Sequence, residues 1–222
     1  TNTEDAFFGA NNPAAAAFVG NRMDLGVDLF SPIRQATNTG GFVSGHSESE
    51  SNYFFIPEFG YNKMINPNLA LGITVYGNGG MNTDYQPIPG FGVNLLGGTG
   101  NLGVDLMQLI VAPTAAFKVA PNHSIGISPL LGYQRFKAEG LDSFGFISTS
   151  PANLTNRGYD DAFGYGVRVG YLGKITPTVM IGAAYASKMN FDEFDKYRGL
   201  FAEQGDFDIP ENYNLGISWQ AT

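Results

Sequence analysis

The sequence predicts an all-β fold, a transmembrane antiparallel up-and-down β-barrel. Three observations support this prediction: apolar residues alternate with small or polar ones along eight segments, short and long connections alternate between these segments, and charged residues are scarce. Of the 222 residues, 30 are glycine and 14% are aromatic, but only 14% are charged, against roughly 25% in an average soluble domain. A secreted all-β protein has a similar composition, so the strand pattern has to distinguish the two.

The composition also limits the classes of function. The formal net charge of −8 argues against nucleic-acid binding, because a phosphate backbone requires a basic surface. The chain has no cysteine, which rules out disulfides and cysteine metal sites. No apolar run approaches the roughly 20 residues of a membrane helix. The first residues lack the basic start and apolar core of a signal peptide, so we expect a chain that is not exported or a mature form.

Alternation with a period of two is typical of strands that have two unlike faces. Its clearest examples are the runs MDLGVDL, LALGITV, SIGISPL, FGYGVRVGY, TVMIGAAY and NYNLGISW. Glycines share one face with Asp24, Asp28 and Arg168, and we expect this face to line a polar lumen, with the apolar face against lipid. Two further segments alternate less regularly. The eight strands are predicted at residues 21–36, 52–63, 68–80, 103–119, 123–138, 161–173, 178–192 and 209–221.

The connections between the predicted strands alternate in length. Similar phrases, KMINPNLALGITVY, KVAPNHSIGISPLL and KITPTVMIGAAYAS, begin at Lys63, Lys118 and Lys174, and each places a tight proline-containing turn between two strands. Short turns on one side and long loops on the other are typical of outer-membrane barrels. A soluble β-sandwich or barrel is the alternative, but such proteins rarely alternate short and long connections so strictly. The four long connections are predicted at residues 37–51, 81–102, 139–160 and 193–208.

The stretch NNPAAAAFVGNRMDLGVDLFSP resembles the FadL family, the outer-membrane channels for long-chain fatty acids and other hydrophobic compounds. In that family an Asn-Pro-Ala motif closes an N-terminal plug and leads into the first strand, and the matching residues here are Asn12, Pro13 and Ala14. The stretches IPEFGYNKMINPNLALGITVYGNGGMNTDY, YGVRVGYLGKITPTVMIGAAYASKMNFD and DIPENYNLGIS are also similar to the family. The resemblance implies that residues 1–20 are the end of a plug and that residues 21–222 are barrel strands with long outer loops and short periplasmic turns.

The resemblance also implies a fourteen-stranded barrel in the bacterial outer membrane, of which eight strands are visible here. An open eight-stranded sheet has unpaired edges that lipid cannot satisfy. We therefore expect that these residues are part of a longer protein. The alternatives are a small complete barrel and the assembly of several copies.

Apolar residues occur within the long loops, where polar ones are expected. In the FadL family such loops form a groove that captures ligand. The alternative is that the side chains pack on one another, and the two can coexist. The candidate ligand-binding residues are Phe91, Val93, Leu95, Leu96, Phe144, Phe146, Leu200 and Phe201.

The third predicted strand ends in a glycine-rich run, VYGNGGMN, that contains Gly77, Gly79 and Gly80. Glycines weaken strand pairing and permit a kink or bulge. This run matches the strand that is kinked in the family, where ligand leaves sideways through a gap in the wall. A plain turn into the next loop is the alternative.

Catalytic patterns are missing from the sequence. His46 and His123 are predicted on opposite sides of the membrane and cannot act together, so we predict no enzyme, no catalytic or metal site and no cofactor. The predicted function is passive uptake of long-chain fatty acids or other hydrophobic compounds, by loop capture and lateral release. The expected partners are these small molecules, outer-membrane lipids and lipopolysaccharide, with self-association as an option. The alternative is a barrel that does not transport and serves a structural or surface-assembly role.

Overall fold

A computed structural model describes residues 1, 3–40 and 43–221. Eight of its strands form one continuous antiparallel sheet in the order β1-β4-β5-β6-β7-β8-β9-β11. This is the predicted up-and-down arrangement, and all eight predicted strands are confirmed. Within the described residues, the outer edges of β1 and β11 pair with no other strand. The strands are β1 (Arg22–Phe30), β2 (Gln35–Gly40), β3 (Val43–Glu48), β4 (Phe54–Asn66), β5 (Leu69–Tyr85), β6 (Leu102–Ala120), β7 (His123–Glu139), β8 (Asp160–Thr176), β9 (Val179–Ala186), β10 (Asn190–Phe191) and β11 (Asn212–Trp219).

The three repeated proline phrases form two-residue turns, at 67–68, 121–122 and 177–178. A register shift precedes each turn, between Met64 and Asn66 in β4 and at the equivalent places in β6 and β8. Such a bulge adds one residue to one strand and increases the local twist. The sequence repeat is therefore a bulged hairpin that occurs three times.

The outer face of the sheet is apolar as predicted, but the inner face is not purely polar as expected, since it also carries buried apolar residues such as Leu130 and Phe136. On β7, Ile125, Ile127 and Leu131 are exposed on the outer face, whereas Ser128 and Gln134 on the inner face are completely buried. Strands β5, β6, β8 and β9 show the same arrangement, because directly paired residues share a face, whereas β11 at the sheet edge is exposed on both faces. The apolar rows therefore form the outside of the wall, and the inner face is covered by other parts of the chain.

Several predicted boundaries are wrong. β1 ends at Phe30 and not at 36, because Pro32 offers no backbone N–H for a ladder, and the loop predicted at 37–51 contains the hairpin β2–β3. β5 extends to Tyr85 instead of ending at 80, since β6 continues to pair with it. β9 ends at Ala186 and not at 192, because the Ser187 hydroxyl accepts the Val167 N–H at 3.0 Å.

The N-terminal segment, residues 3–21, lies against the inner face of the sheet. It contains two short helices, α1 (Phe8–Asn11) and α2 (Ala16–Val19), and a 3₁₀ turn over Pro13–Ala15 between them. Both helices contact β5 and β6, and the 3₁₀ turn contacts β6, β7 and β8. In the part of the chain that the structure describes, no helix has the length and apolar character needed to cross a membrane.

Candidate functional site

The Asn-Pro-Ala motif fixes the N-terminal segment to three strands. The side chain of Asn12 caps the 3₁₀ turn by accepting the Ala14 N–H at 3.0 Å. Its Nδ2 donates to the carbonyls of Tyr171 on β8 at 2.9 Å and Ala183 on β9 at 3.4 Å. The Ala14 carbonyl accepts the Ser124 hydroxyl of β7 at 2.8 Å. Pro13 is the first residue of the turn, where a missing N–H costs nothing.

Two glycines of the wall make room for this motif. A Cβ atom on Gly126 would lie 2.4 Å from the Ala14 nitrogen, and one on Gly170 would lie 2.0 Å from Asn12 Oδ1. Both distances are far below van der Waals contact. Barrel glycines are expected to allow close backbone approach and bending, and these two let the N-terminal segment come close to the wall.

Other polar contacts attach the segment to β1 and β5. The Thr74 hydroxyl accepts the Gly9 N–H at 3.1 Å and donates to the Ala6 carbonyl at 3.0 Å. Asp24 of β1 accepts the Ala6 N–H at 2.8 Å. Below these contacts lies the lower core, which consists of buried apolar residues of the segment and the wall. They are Ala6, Phe8, Ala14, Ala15, Ala16, Ala17, Ala70, Ala116 and Leu172.

A buried arginine lies above the segment. Arg168 of β8 is only 5% exposed. Its Nη1 donates to the Gly9 carbonyl at 2.5 Å and contacts the Tyr76 hydroxyl at 3.2 Å, while its Nε has no partner. Among the described residues, no carboxylate forms an ion pair with it. The sequence placed Arg168 on the lumen face, but only the structure shows that it is buried without a counter-charge.

The upper core fills the lumen towards the long loops. The Phe136 ring packs on Tyr197 and Phe201 with centroid distances of 5.0 and 5.1 Å. Phe201 also lies 5.9 Å from Phe194, and Leu200 packs against the same cluster. The last outer loop, which carries the predicted ligand residues Leu200 and Phe201, is therefore folded inwards over the lumen.

The other predicted ligand residues lie apart from this cluster. Leu95 is buried in a separate loop core with Val43 and Ile88, and Val93 packs against it. This core joins the β2–β3 hairpin to the loop between β5 and β6. The predicted loop residues therefore form two separate packed groups and an exposed set. The exposed set is Phe91, Leu96 and Phe146, and Phe144 is half-buried.

A gap opens in the wall between β4 and β5. Their pairing ends at Phe59 and Val75, although β4 goes on pairing with β1 up to Phe54, and β5 with β6 up to Tyr85. We define the wall gap as the region between residues 54–58 of β4 and 76–81 of β5. No hydrogen-bonded strand pair crosses it in the described part of the sheet.

The glycine-rich run lies along this wall gap. A register shift occurs between Gly77 and Gly79, and the intervening Asn78 donates its amide to Gln108 Oε1 at 3.0 Å. Gly80 follows the bulge and pairs with Met107. The run is therefore a bulge within a continuing strand, and the alternative of a plain turn is wrong. Its role in ligand release stays a prediction.

The histidines remain separate from each other. His123 Nδ1 lies 2.7 Å from the Tyr171 hydroxyl, and His46 lies in β3 beside Thr37 and Glu48. Within the described ranges, no group of three or more acidic or histidine side chains could hold a metal ion.

Comparison with known proteins identifies the family to which this chain belongs. Residues 2–218 match a family described as outer membrane protein transport protein (OMPP1/FadL/TodX). The chain belongs to this family. The family is one of outer-membrane transport proteins, so the predicted family and location are confirmed. A comparison with curated protein sequences found no significant match.

Solved structures of FadL/TodX type have the same fold. The toluene transporter TodX of Pseudomonas putida is 18% identical, with a TM-score of 0.69 over 95% of this chain and 61% of its own. A Pseudomonas aeruginosa FadL homologue is 18% identical, with a TM-score of 0.69 over 99% and 62%. The toluene transporter TbuX of Ralstonia pickettii is 22% identical, with a TM-score of 0.69 over 97% and 63%. The chain thus spans about three fifths of the length of these structures.

Proposed function

We propose that this protein takes up hydrophobic compounds passively across the outer membrane and releases them sideways through the wall gap. The wall gap between β4 and β5 is the observation that carries the proposal. A hydrophobic molecule gains roughly 25 cal/mol for each Å² of apolar surface removed from water. A sideways exit into lipid keeps that surface away from water, whereas a wet axial pore does not.

Capture would begin at the exposed apolar residues of the outer loops. Phe91 and Leu96 lie on the loop between β5 and β6, and Phe146 lies on the loop between β7 and β8. The two loops are in contact, since the Ser143 hydroxyl donates to the Leu96 carbonyl at 2.9 Å. Together they offer an apolar surface at the outer end of the lumen, as a first binding place requires. The N-terminal segment would act as the plug beneath it.

Arg168 favours a ligand with an acidic head, such as a long-chain fatty acid. A buried guanidinium stays charged, and a buried charge is costly unless an opposite charge accompanies it. A carboxylate can accept two parallel hydrogen bonds from arginine. Tyr76, which contacts Arg168, is next to Gly77 at the wall gap. A head group held at Arg168 would therefore place the ligand beside the exit.

The head-group proposal is tested by comparing palmitic acid with its uncharged methyl ester. Binding is measured by calorimetry on the full-length protein in detergent, for wild type and for Arg168→Gln. We expect roughly 10- to 100-fold weaker binding of the acid, since a hydrogen bond to a charged group contributes about 1.5–3 kcal/mol, and no change for the ester. Arg157→Gln, at an exposed loop position, is the control. An equal loss for both ligands would show that Arg168 supports the fold only.

The loop-capture step is tested with the double variant Phe91→Asp, Phe144→Asp in the same assay. Both ligands should then bind more weakly, because the charges disfavour apolar contact. Unchanged affinity would remove these loops from the mechanism.

The lateral route is tested by closing the wall gap with a disulfide. A Cβ atom on Gly77 would lie 3.2 Å from Ile56 Cγ2, so the side chains of Ile56→Cys and Gly77→Cys would lie close together across the wall gap. Oxidation should stop uptake into liposomes and reduction should restore it. The control is Phe59→Cys with Val75→Cys, a pair in the closed part of the same strands. Uptake that continues after oxidation at the gap would refute the lateral route.

A further inference from the structure

We propose that Arg34 is a clamp that sets the width of the wall gap and couples it to the outer loops. This inference rests on the proposed lateral route. Arg34 lies between β1 and β2, and its guanidinium donates from Nη1 to the carbonyl of Asn82 and from Nη2 to the carbonyl of Ser51. Asn82 belongs to β5, and Ser51 lies three residues before the start of β4. One side chain thus joins the two sides where the strand ladder does not.

The clamp lies at the outer end of the gap. Next to it, the Glu50 N–H donates to the Asp84 carbonyl at 2.9 Å, and Ser49 forms a bridge with Tyr85. The inner end is the last ladder pair, which includes Val75. The stretch of β5 between these ends is roughly 20 Å long at about 3.3 Å per residue. The gap is therefore a window closed at both ends, and its outer end is held by side chains and loop backbone.

The chemistry of this contact requires arginine. A planar fork of donors can serve two carbonyls at once, whereas a lysine ammonium is a point donor on a flexible stem. The guanidinium also lies 5.5 Å from the centre of the Phe54 ring, where a cation–π attraction holds it in place. Arg34 Nε is buried without a partner, and no ion pair involves Arg34 within the described residues. Two neutral carbonyls hold the clamp, so opening it separates no buried ion pair.

The clamp is linked to the loops that meet the ligand first. Arg34 is followed at once by the β2–β3 hairpin, whose Ser47 hydroxyl donates to the Gln86 carbonyl at 3.1 Å. Asn38 of the same hairpin donates to the Leu95 carbonyl at 2.9 Å, and Leu95 is buried in the loop core that they share. A ligand that displaces the exposed Leu96 beside it therefore moves the hairpin and, through it, Arg34. Ligand capture would widen the window.

The width of the window can be measured directly because the chain has no cysteine. Spin labels on Phe55→Cys of β4 and Met81→Cys of β5 report the distance across the wall gap by pulsed electron paramagnetic resonance. Arg34→Ala should give a longer and broader distance distribution. The distance distribution of Arg34→Lys should lie between those of Arg34→Ala and wild type, since one ammonium reaches one carbonyl at a time. Arg157→Ala is the matched control and should match wild type. An unchanged distribution in Arg34→Ala would overturn the proposal.

A transport measurement separates the clamp from the lateral route. Uptake of palmitic acid is compared with that of a bulkier pyrene-labelled fatty acid in liposomes that contain the full-length protein. Arg34→Ala should raise the uptake of the bulky probe relative to palmitic acid several-fold. The disulfide between positions 56 and 77 can block uptake while Arg34→Ala changes neither the uptake ratio nor the distance across the wall gap. In that case the lateral route is supported and the clamp proposal is wrong. If the disulfide does not block uptake, the lateral route itself is wrong.

Discussion

Replacing Gly126 by alanine should detach the N-terminal segment from the wall while leaving the sheet intact. The added methyl carbon would lie 2.4 Å from the Ala14 nitrogen and 2.4 Å from the Pro13 carbonyl carbon, which is far too close for a van der Waals contact. Both are backbone atoms, which cannot rotate away as a side chain can. Overpacking of this kind costs about 1–3 kcal/mol. At about 2 kcal/mol, the ratio of docked to undocked segment falls roughly 30-fold.

Hydrogen exchange followed by mass spectrometry measures this ratio. The amide of Ala14 bonds to Asn12 Oδ1 at 3.0 Å and that of Ala15 to the Asn12 carbonyl at 3.1 Å. Their protection should fall about 30-fold in Gly126→Ala, in proportion to the docked population. Gly145→Ala is the control, because a Cβ atom there would lie 3.8 Å from Pro151 Cβ, at ordinary van der Waals distance. Wild-type protection in Gly126→Ala would refute the close-packing argument.

Three further outcomes are expected. Asn12→Ala, which loses the cap and two bonds to the wall, should lower the free energy of unfolding by about 1–2 kcal/mol in a denaturant titration, and no loss would contradict its bridging role. Phe136→Ala should cost about 3–5 kcal/mol in that titration, whereas an exposed loop phenylalanine should cost nothing. Burial acts to raise the pKa of Asp208, but hydrogen bonds from Lys188 and the Phe191 N–H lower it below 3.8. The stability from this contact is therefore present above pH 3.8 and lost as the pH falls below it. Protection of the Phe191 amide should drop there in wild type and be low at every pH in Asp208→Ala, which has no acceptor for this amide.

The sheet was predictable because the patterns that specify its strands and turns lie within short stretches of the sequence. Alternation along runs such as Met23–Leu29 places apolar side chains on one face whatever the partner strand is, and a proline turn joins neighbours in the chain. The β2–β3 hairpin was missed because its residues are mostly polar on both faces, so no alternation marks them. The end of β5 was missed because residues 81–85 are held in the strand by β6 alone, and sequence pattern does not show that partner.

The site was predictable only in part. The Asn-Pro-Ala motif and the glycine-rich run were found by their resemblance to a family. The roles of Gly126 and Arg168 depend on contacts with residues more than a hundred positions away, such as Gly9, and a local pattern carries no such information. The same holds for Arg34, whose importance depends on the place where the β4–β5 ladder stops.

The hydrogen bonds of Asn12 have a consequence for how the protein assembles. Asn12 is made before its partners Tyr171 and Ala183, which follow it by 159 and 171 residues. Contacts so distant in sequence form late in folding. Asn12 can therefore form both bonds only when the seventh strand of the sheet is in place, although Asp24 and Thr74 already attach the segment to β1 and β5. Complete docking of the segment therefore requires seven strands of the described sheet, which makes the segment suited to report on barrel assembly during biogenesis.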